Sequence, residues 1–166
     1  MTNPLQATLE DRDGRWVLTF TRDFSHPVDA VWPWLTDPDR LQRWSPVVPD
    51  RPLDKVGPAQ LRENPGDEPL DGTVIAVSAP HELVHQWGPD MLRWRLTPTA
   101  TGCQLTLEQT MADRTRAAEN AGGWHICLDV LADDLDGAMG KRLVGEVVME
   151  HGFPELRDGY RKVLGV

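Results

Sequence analysis

Between Pro46 and Met111 the chain is cut into five short apolar runs: Ala59 to Glu63, Thr73 to Ser78, Leu83 to Trp87, Met91 to Thr97 and Gln104 to Met111. Turn-forming pairs stand between them, namely Pro65-Gly66, Asp71-Gly72, Ala79-Pro80, Gly88-Pro89 and Thr101-Gly102. Runs this short, joined by connections this tight, predict an antiparallel meander. The last run has Cys103, Leu105, Leu107 and Met111 on one face and Gln104, Thr106, Glu108 and Thr110 on the other. One face is therefore wet, and something apolar must cover the opposite one. The segment Ala117 to Leu135 can do so: Trp124, Leu128, Leu131 and Leu135 recur at helical spacing beside Cys127, while Asp129, Asp133 and Asp134 fall on the outer side.

Ahead of the meander, Trp16, Leu18, Phe20, Arg22 and Phe24 alternate with Val17, Thr19, Thr21 and Asp23, which predicts a half-buried strand. Pro27 then suits the first position of a short helix capped by Ser25 or His26, with Val31, Trp34 and Leu35 as its apolar stripe. Pro33 should end or bend that helix early. Asp37-Pro38 repeats the start signal for a second short helix running through Leu41 to Trp44. Near the end, Pro154 to Leu164 carries Leu156, Tyr160, Val163 and Leu164 behind another proline and predicts a short helix packed back on the fold. Residues 137–153 show no period, and the run Thr73 to Ser78 is apolar on both faces, so its facing stays open.

With 166 residues and no repeat or low-complexity linker, the chain is expected to form one unit spanning 1–166, with a core over 15–137 and a tail helix over 154–164. Cys103 and Cys127 are the only cysteines and both lie in apolar patterns, which fits reduced thiols in a core. The amino terminus lacks a basic stretch followed by an apolar one, and no apolar run approaches bilayer length. A cytoplasmic location without membrane insertion is the expectation. The formal charge of −9, from 26 acidic and 17 basic residues, repels phosphate backbones, and no basic patch argues for nucleic acid. Seven tryptophans against one tyrosine is the unusual ratio, and such rings either fill a core or line a concave apolar pocket.

The order strand, two short helices, antiparallel strands, long helix resembles the SRPBCC/START-like superfamily, in the branch similar to the activator of the Hsp90 ATPase. Three stretches carry the likeness. The first is Arg22-Asp23-Phe24-Ser25-His26-Pro27-Val28-Asp29-Ala30-Val31-Trp32, continuing through Leu35-Thr36-Asp37-Pro38 to Trp44-Ser45-Pro46. The second is Leu83-Val84-His85-Gln86-Trp87, and the third is Gly123-Trp124 with Leu128, Leu131 and Leu135. Leu156 to Gly165 resembles the common tail. His26 departs from the usual alanine, and Pro33 is foreign to the first short helix. The resemblance implies an α+β helix-grip fold, a curved antiparallel sheet gripping a carboxy-terminal helix, with an internal cavity that in various members holds lipids, polyketides or other apolar molecules. It implies no shared catalytic residue and no cofactor.

Three functions follow as expectations. The first is a binding module for a small apolar or aromatic molecule, with Trp32, Trp44, Leu61, His85, Trp87, Trp94, Leu105, Leu107, Trp124 and Leu128 as candidate contacts. The second is a protein-partner module resembling the Hsp90 activator, which predicts a filled core and an exposed apolar patch. The third is a cyclase- or aromatase-type enzyme using a cavity acid or base, for which His85 is the one candidate; the same residue also reads as a satisfied core histidine. A metal site is not expected, because His81 and His85 stand about 13 Å apart on an extended strand. No nucleophile-base arrangement or glycine-rich phosphate loop is legible either.

Overall fold

The computed structural model describes residues 4–138 and 140–166. Its first strand, β1 (Ala7–Arg12), lies ahead of the predicted core, and it pairs with β2 (Arg15–Phe24) through a two-residue turn at Asp13-Gly14. Both turn residues have positive φ, 54° and 83°, the conformation that an Asp-Gly hairpin supplies at least cost. The helices α1 (Val28–Thr36) and α2 (Pro38–Leu41) thus follow the second strand rather than the first.

Helix α1 corrects two expectations. Its cap is Pro27, whose carbonyl accepts from Ala30 and Val31 N–H, so neither Ser25 nor His26 caps it. Pro33 sits inside the helix, which continues to Thr36. The proline removes a single bond, the one its N–H would have donated toward Asp29. Burial of Val28, Val31 and Leu35 on one stripe holds the remaining turns. The second start signal behaves as read: Asp37 accepts from Asp39 N–H and Pro38 takes the first helical position.

Three very short strands, β3 (Val48–Pro49), β4 (Gln60–Arg62) and β5 (Leu70–Asp71), make a separate small sheet in that order instead of joining the meander. The meander proper is β6 (Val74–Ser78), β7 (Glu82–Trp87), β8 (Asp90–Pro98) and β9 (Cys103–Met111). Strand β9 pairs with β2, giving a six-stranded antiparallel sheet in the order β1-β2-β9-β8-β7-β6. The register slips between Val74 and Ala76 on β6.

Register decides what faces inward. Phe20, Leu107, Trp94 and Leu83 form one row across four strands, and Leu18, Gln109, Leu92 and His85 form the next. All eight are buried. Over these rows lies α3 (Ala117–Leu135), with Trp124, Leu128 and Leu131 buried against the sheet. On the back of α3 packs α4 (Phe153–Leu164). Gly122 permits that contact, since a β-carbon there would stand 3.2 Å from the Phe153 ring and 3.4 Å from the Arg157 backbone nitrogen. The acidic face of α3 is less exposed than its pattern predicts. Asp134 is buried, accepts from Gly140 N–H at 2.9 Å and lies 3.7 Å from the Arg43 guanidinium. Between α3 and α4 the chain crosses as a strap over residues 140–152, including a 3-10 turn at Gly145–Glu150. Among the described residues no helix is long and apolar enough to cross a membrane.

Candidate functional site

Four of the seven tryptophans, Trp44, Trp87, Trp94 and Trp124, converge where α3 meets β7 and β8. The rings of Trp87 and Trp124 stand 5.5 Å apart, those of Trp94 and Trp124 5.4 Å, and those of Trp44 and Trp94 6.1 Å, all edge to face. This is the arrangement that the ring quadrupole favours. Each of the three deepest indoles has its N–H satisfied. Trp44 donates to Trp34 O at 2.9 Å, Trp94 to His85 Nε2 at 3.0 Å and Trp124 to Gln109 Oε1 at 2.9 Å.

His85 is closed on both sides. Its Nε2 accepts from Trp94, so the ring hydrogen lies on Nδ1, which donates to Gln86 O at 2.9 Å. Burial pushes its pKa down to about 4, against a smaller opposing pull from the Gln86 carbonyl. The imidazole is neutral at physiological pH and engaged with protein at both nitrogens.

At the edge of the tryptophan cluster lies a recess of about 110 Å³. Trp87, Trp124, Gly123 and Cys127 form the inner wall, while Leu143, Val144 and Val148 of the strap close the outer side. Glu63, Glu119 and Asn120 are the polar side chains among its walls. A second hollow of about 280 Å³ shares Pro46, Glu63 and Trp87 with it and runs along Leu61 and Leu70 of the small sheet. Arg142 fastens the strap, donating from Nε to Ser45 O at 2.8 Å and from Nη2 to Glu63 O at 2.7 Å. The Cys127 thiol lies 3.7 Å from Leu143 O, and burial pushes its pKa up to about 12.

The ten residues singled out in the sequence distribute as follows. Trp87 and Trp124 line the recess, and Leu61 and Trp87 line the adjoining hollow. Trp94 stands against the Trp124 ring, Trp44 and His85 contact Trp94 in turn, and Leu105, Leu107 and Leu128 lie in the core. Trp32, half-buried on α1, borders neither space. Sequence reasoning missed the strap residues Arg142, Leu143, Val144 and Val148, which lie in a stretch without period. It also missed Arg22 and Tyr160 as members of a buried polar cluster behind α3. Among the described residues no group of three or more His, Cys, Asp or Glu side chains is placed to hold a metal.

A curved antiparallel sheet, a long helix laid in its concavity and a residual apolar space between them define the helix-grip class of SRPBCC/START-like proteins. Residues 25–136 match the family described as Activator of Hsp90 ATPase homolog 1-like protein, and the chain belongs to that family. Several solved structures share the fold. CalU16 from Micromonospora echinospora is 19% identical with a TM-score of 0.72, covering 96% of both chains. The conserved protein EF2215 from Enterococcus faecalis is 17% identical with a TM-score of 0.71, over 95% of this chain and 90% of that one. DynU16, a protein of the dynemicin biosynthetic locus, is 25% identical with a TM-score of 0.67, over 78% of this chain and 49% of its own. No curated protein matches the sequence.

Proposed function

We propose that this protein binds a small apolar, ring-bearing molecule in the recess between α3, the end of β7 and the strap. The observation that carries the reading is that two indoles, Trp87 and Trp124, border an unfilled recess at the edge of the core. The recess alone, about 110 Å³, is smaller than the roughly 150 Å³ dry cavity that holds benzene, so a ring seated against the two indoles extends beyond it. The adjoining hollow of about 280 Å³ offers room for the rest of the molecule, with Glu63 shared by the two spaces and Arg62, Asp67 and Glu68 along the hollow as polar handles. Covering roughly 200 Å² of apolar ligand surface contributes about 5 kcal/mol before the costs of association. The reading takes the whole chain as one unit working in the cytoplasm. His85, held by Trp94 and Gln86, backs the indole wall rather than meeting the ligand.

Native mass spectrometry of the protein purified from its own source, under gentle and then denaturing conditions, tests this. The expected result is release of a small apolar compound from the wild type and none from Gly123→Leu. The new side chain enters the recess from a position where a β-carbon meets nothing within 4 Å. An empty wild type, or a compound retained by Gly123→Leu, overturns the reading and turns attention to protein partners.

A further inference from the structure

The outer face of the sheet, turned away from α3, carries an arrangement that the tryptophan recess does not use. Register sets out its rows: Val17, Thr110 and Met91 stand side by side, and Thr19, Glu108, Arg93 and Val84 form the next row. Arg93 is thus placed between a carboxylate on β9 and a valine on β7. Val84 offers no acceptor. Glu108 is already occupied: it is buried, its Oε2 accepts from Arg12 Nη1 at 2.7 Å, and its Oε1 stands 3.4 Å from Arg95 Nη2.

Arg93 is left over. Among the described residues it has no hydrogen bond and no ion pair, although its side chain is half-buried. Its Nε is shut off from solvent without a partner, while both Nη groups are unbonded and reachable. A half-buried guanidinium in this state has lost part of its hydration with no acceptor in exchange, an arrangement that native structures rarely leave unanswered. Arg93 borders a hollow of about 270 Å³, in which Arg12 and Arg15 are the other cations. Arg15 is exposed and, among the described residues, makes one bond, from Nη2 to Pro89 O at 3.3 Å, so most of its donors are free. Val17 and Met91 give the hollow an apolar wall, and Thr110 gives it a hydroxyl.

The charges of the walls select the guest. Three guanidiniums stand against two carboxylates, Asp13 and Glu108, which leaves one surplus positive charge. A carboxylate balances it, and its two oxygens match the parallel Nη1–H and Nη2–H bonds that a guanidinium offers end-on. A phosphate monoester would bring a second negative charge against Asp13 and Glu108. An ammonium meets the surplus with the wrong sign. The volume falls just below the range of about 300–1,000 Å³ of drug-sized pockets, so the guest is small, and Val17 and Met91 favour an apolar body.

We infer that this hollow is an anion site, taking the carboxylate of a small apolar acid on the Nη edge of Arg93, with Arg15 as the second cation. It lies on the opposite face of the sheet from the recess beneath the strap and does not depend on what the recess holds.

The test uses the full chain and three probes of similar shape, measured by calorimetry: 4-ethylbenzoate, its neutral counterpart 4-ethylbenzamide and the dianion 4-ethylphenyl phosphate. The benzoate is expected to bind at least tenfold more tightly than the amide, and the phosphate no more tightly than the benzoate. Arg93→Met, which keeps an unbranched stem and removes the guanidinium, should bring the benzoate down to the affinity of the amide. Gly123→Leu, which fills the recess on the other face, should leave benzoate binding unchanged. Equal affinity for benzoate and amide, no benzoate binding, a phosphate that binds more tightly than the benzoate, or benzoate binding kept in Arg93→Met overturns the proposal. Benzoate binding lost in Gly123→Leu overturns it too, by placing the acid in the recess. Should Arg93→Met not fold, NMR of the arginine Nε–H groups of the wild type decides. Movement of the Arg93 signal on saturation with 4-ethylbenzoate supports the site, and a stationary signal sinks it.

Discussion

His85 accepts the Trp94 indole hydrogen on Nε2, so protonating that nitrogen would require the bond to break inside an apolar core. Its folded pKa of about 4 lies below the ordinary value of 6.5. The unfolded chain therefore binds this proton first as pH falls. The group's contribution to stability is complete above about pH 6.5 and is lost progressively between there and about pH 4. Between pH 7 and pH 5 the loss from this residue alone is about 2 kcal/mol. Urea unfolding at the two pH values checks it: His85→Phe starts less stable because the Trp94 N–H is orphaned, but its decline with falling pH should be shallower than that of the wild type by about that amount. Alternation puts His85 on one face with Leu83 and Trp87, but which way that face turns was not legible from the sequence. Nor were the two hydrogen bonds of His85, because they depend on cross-strand register with β8, which no local pattern prints.

Helix α3 is gripped on two sides, and its glycine pair shows the division of labour. Gly122 faces α4, where a β-carbon would press on the Phe153 ring and the Arg157 backbone. Gly123 faces the recess, where a β-carbon meets nothing. Gly123→Ala is therefore expected to raise stability by about 0.5–1 kcal/mol through helix propensity. Gly122→Ala should lower it by roughly 1 kcal/mol or more through overpacking. Opposite shifts of the urea midpoint would bear this out; a gain in both would mean that α4 is not closely seated. At this scale the five runs, the two proline-started helices and the long helix could all be read from period and turn chemistry. Strand β1 could not be found by alternation, because only Ala7 is buried among charged neighbours, though Asp13-Gly14 between two extended runs was a usable hairpin signal. The two- and three-residue strands of the small sheet are too short to show a period. Asp134 was misplaced on the solvent side because its partners, Arg43 and Gly140, arrive from segments that helical spacing does not describe.

Across the whole molecule, the strap ties three regions together: α3 through Cys127, the segment after α2 through Ser45, and the end of β4 through Glu63. Arg142 carries two of those ties, and the Cys127 thiol reports on them, since burial keeps it protonated and shielded. Arg142→Ala should leave the thermal midpoint within a few degrees of wild type, the core being untouched. It should also speed labelling of Cys127 by a disulfide reagent at pH 8 at least tenfold; unchanged labelling would mean that the strap is held by its apolar residues instead. The candidate recess was legible only by half, its tryptophan wall from the strand and helix patterns and its strap wall not at all. The sheet's outer strands have a different kind of consequence. Beside β1 packs α4, while at the far end β6 is five residues long, kinked by its slipped register and bridged at Val74 by Gly57. Such a margin offers another molecule no straight row of amides and carbonyls to zip onto, and a formal charge of −9 adds mutual repulsion. Crowded at high concentration, copies of this chain are therefore expected to resist joining edge to edge into fibrils.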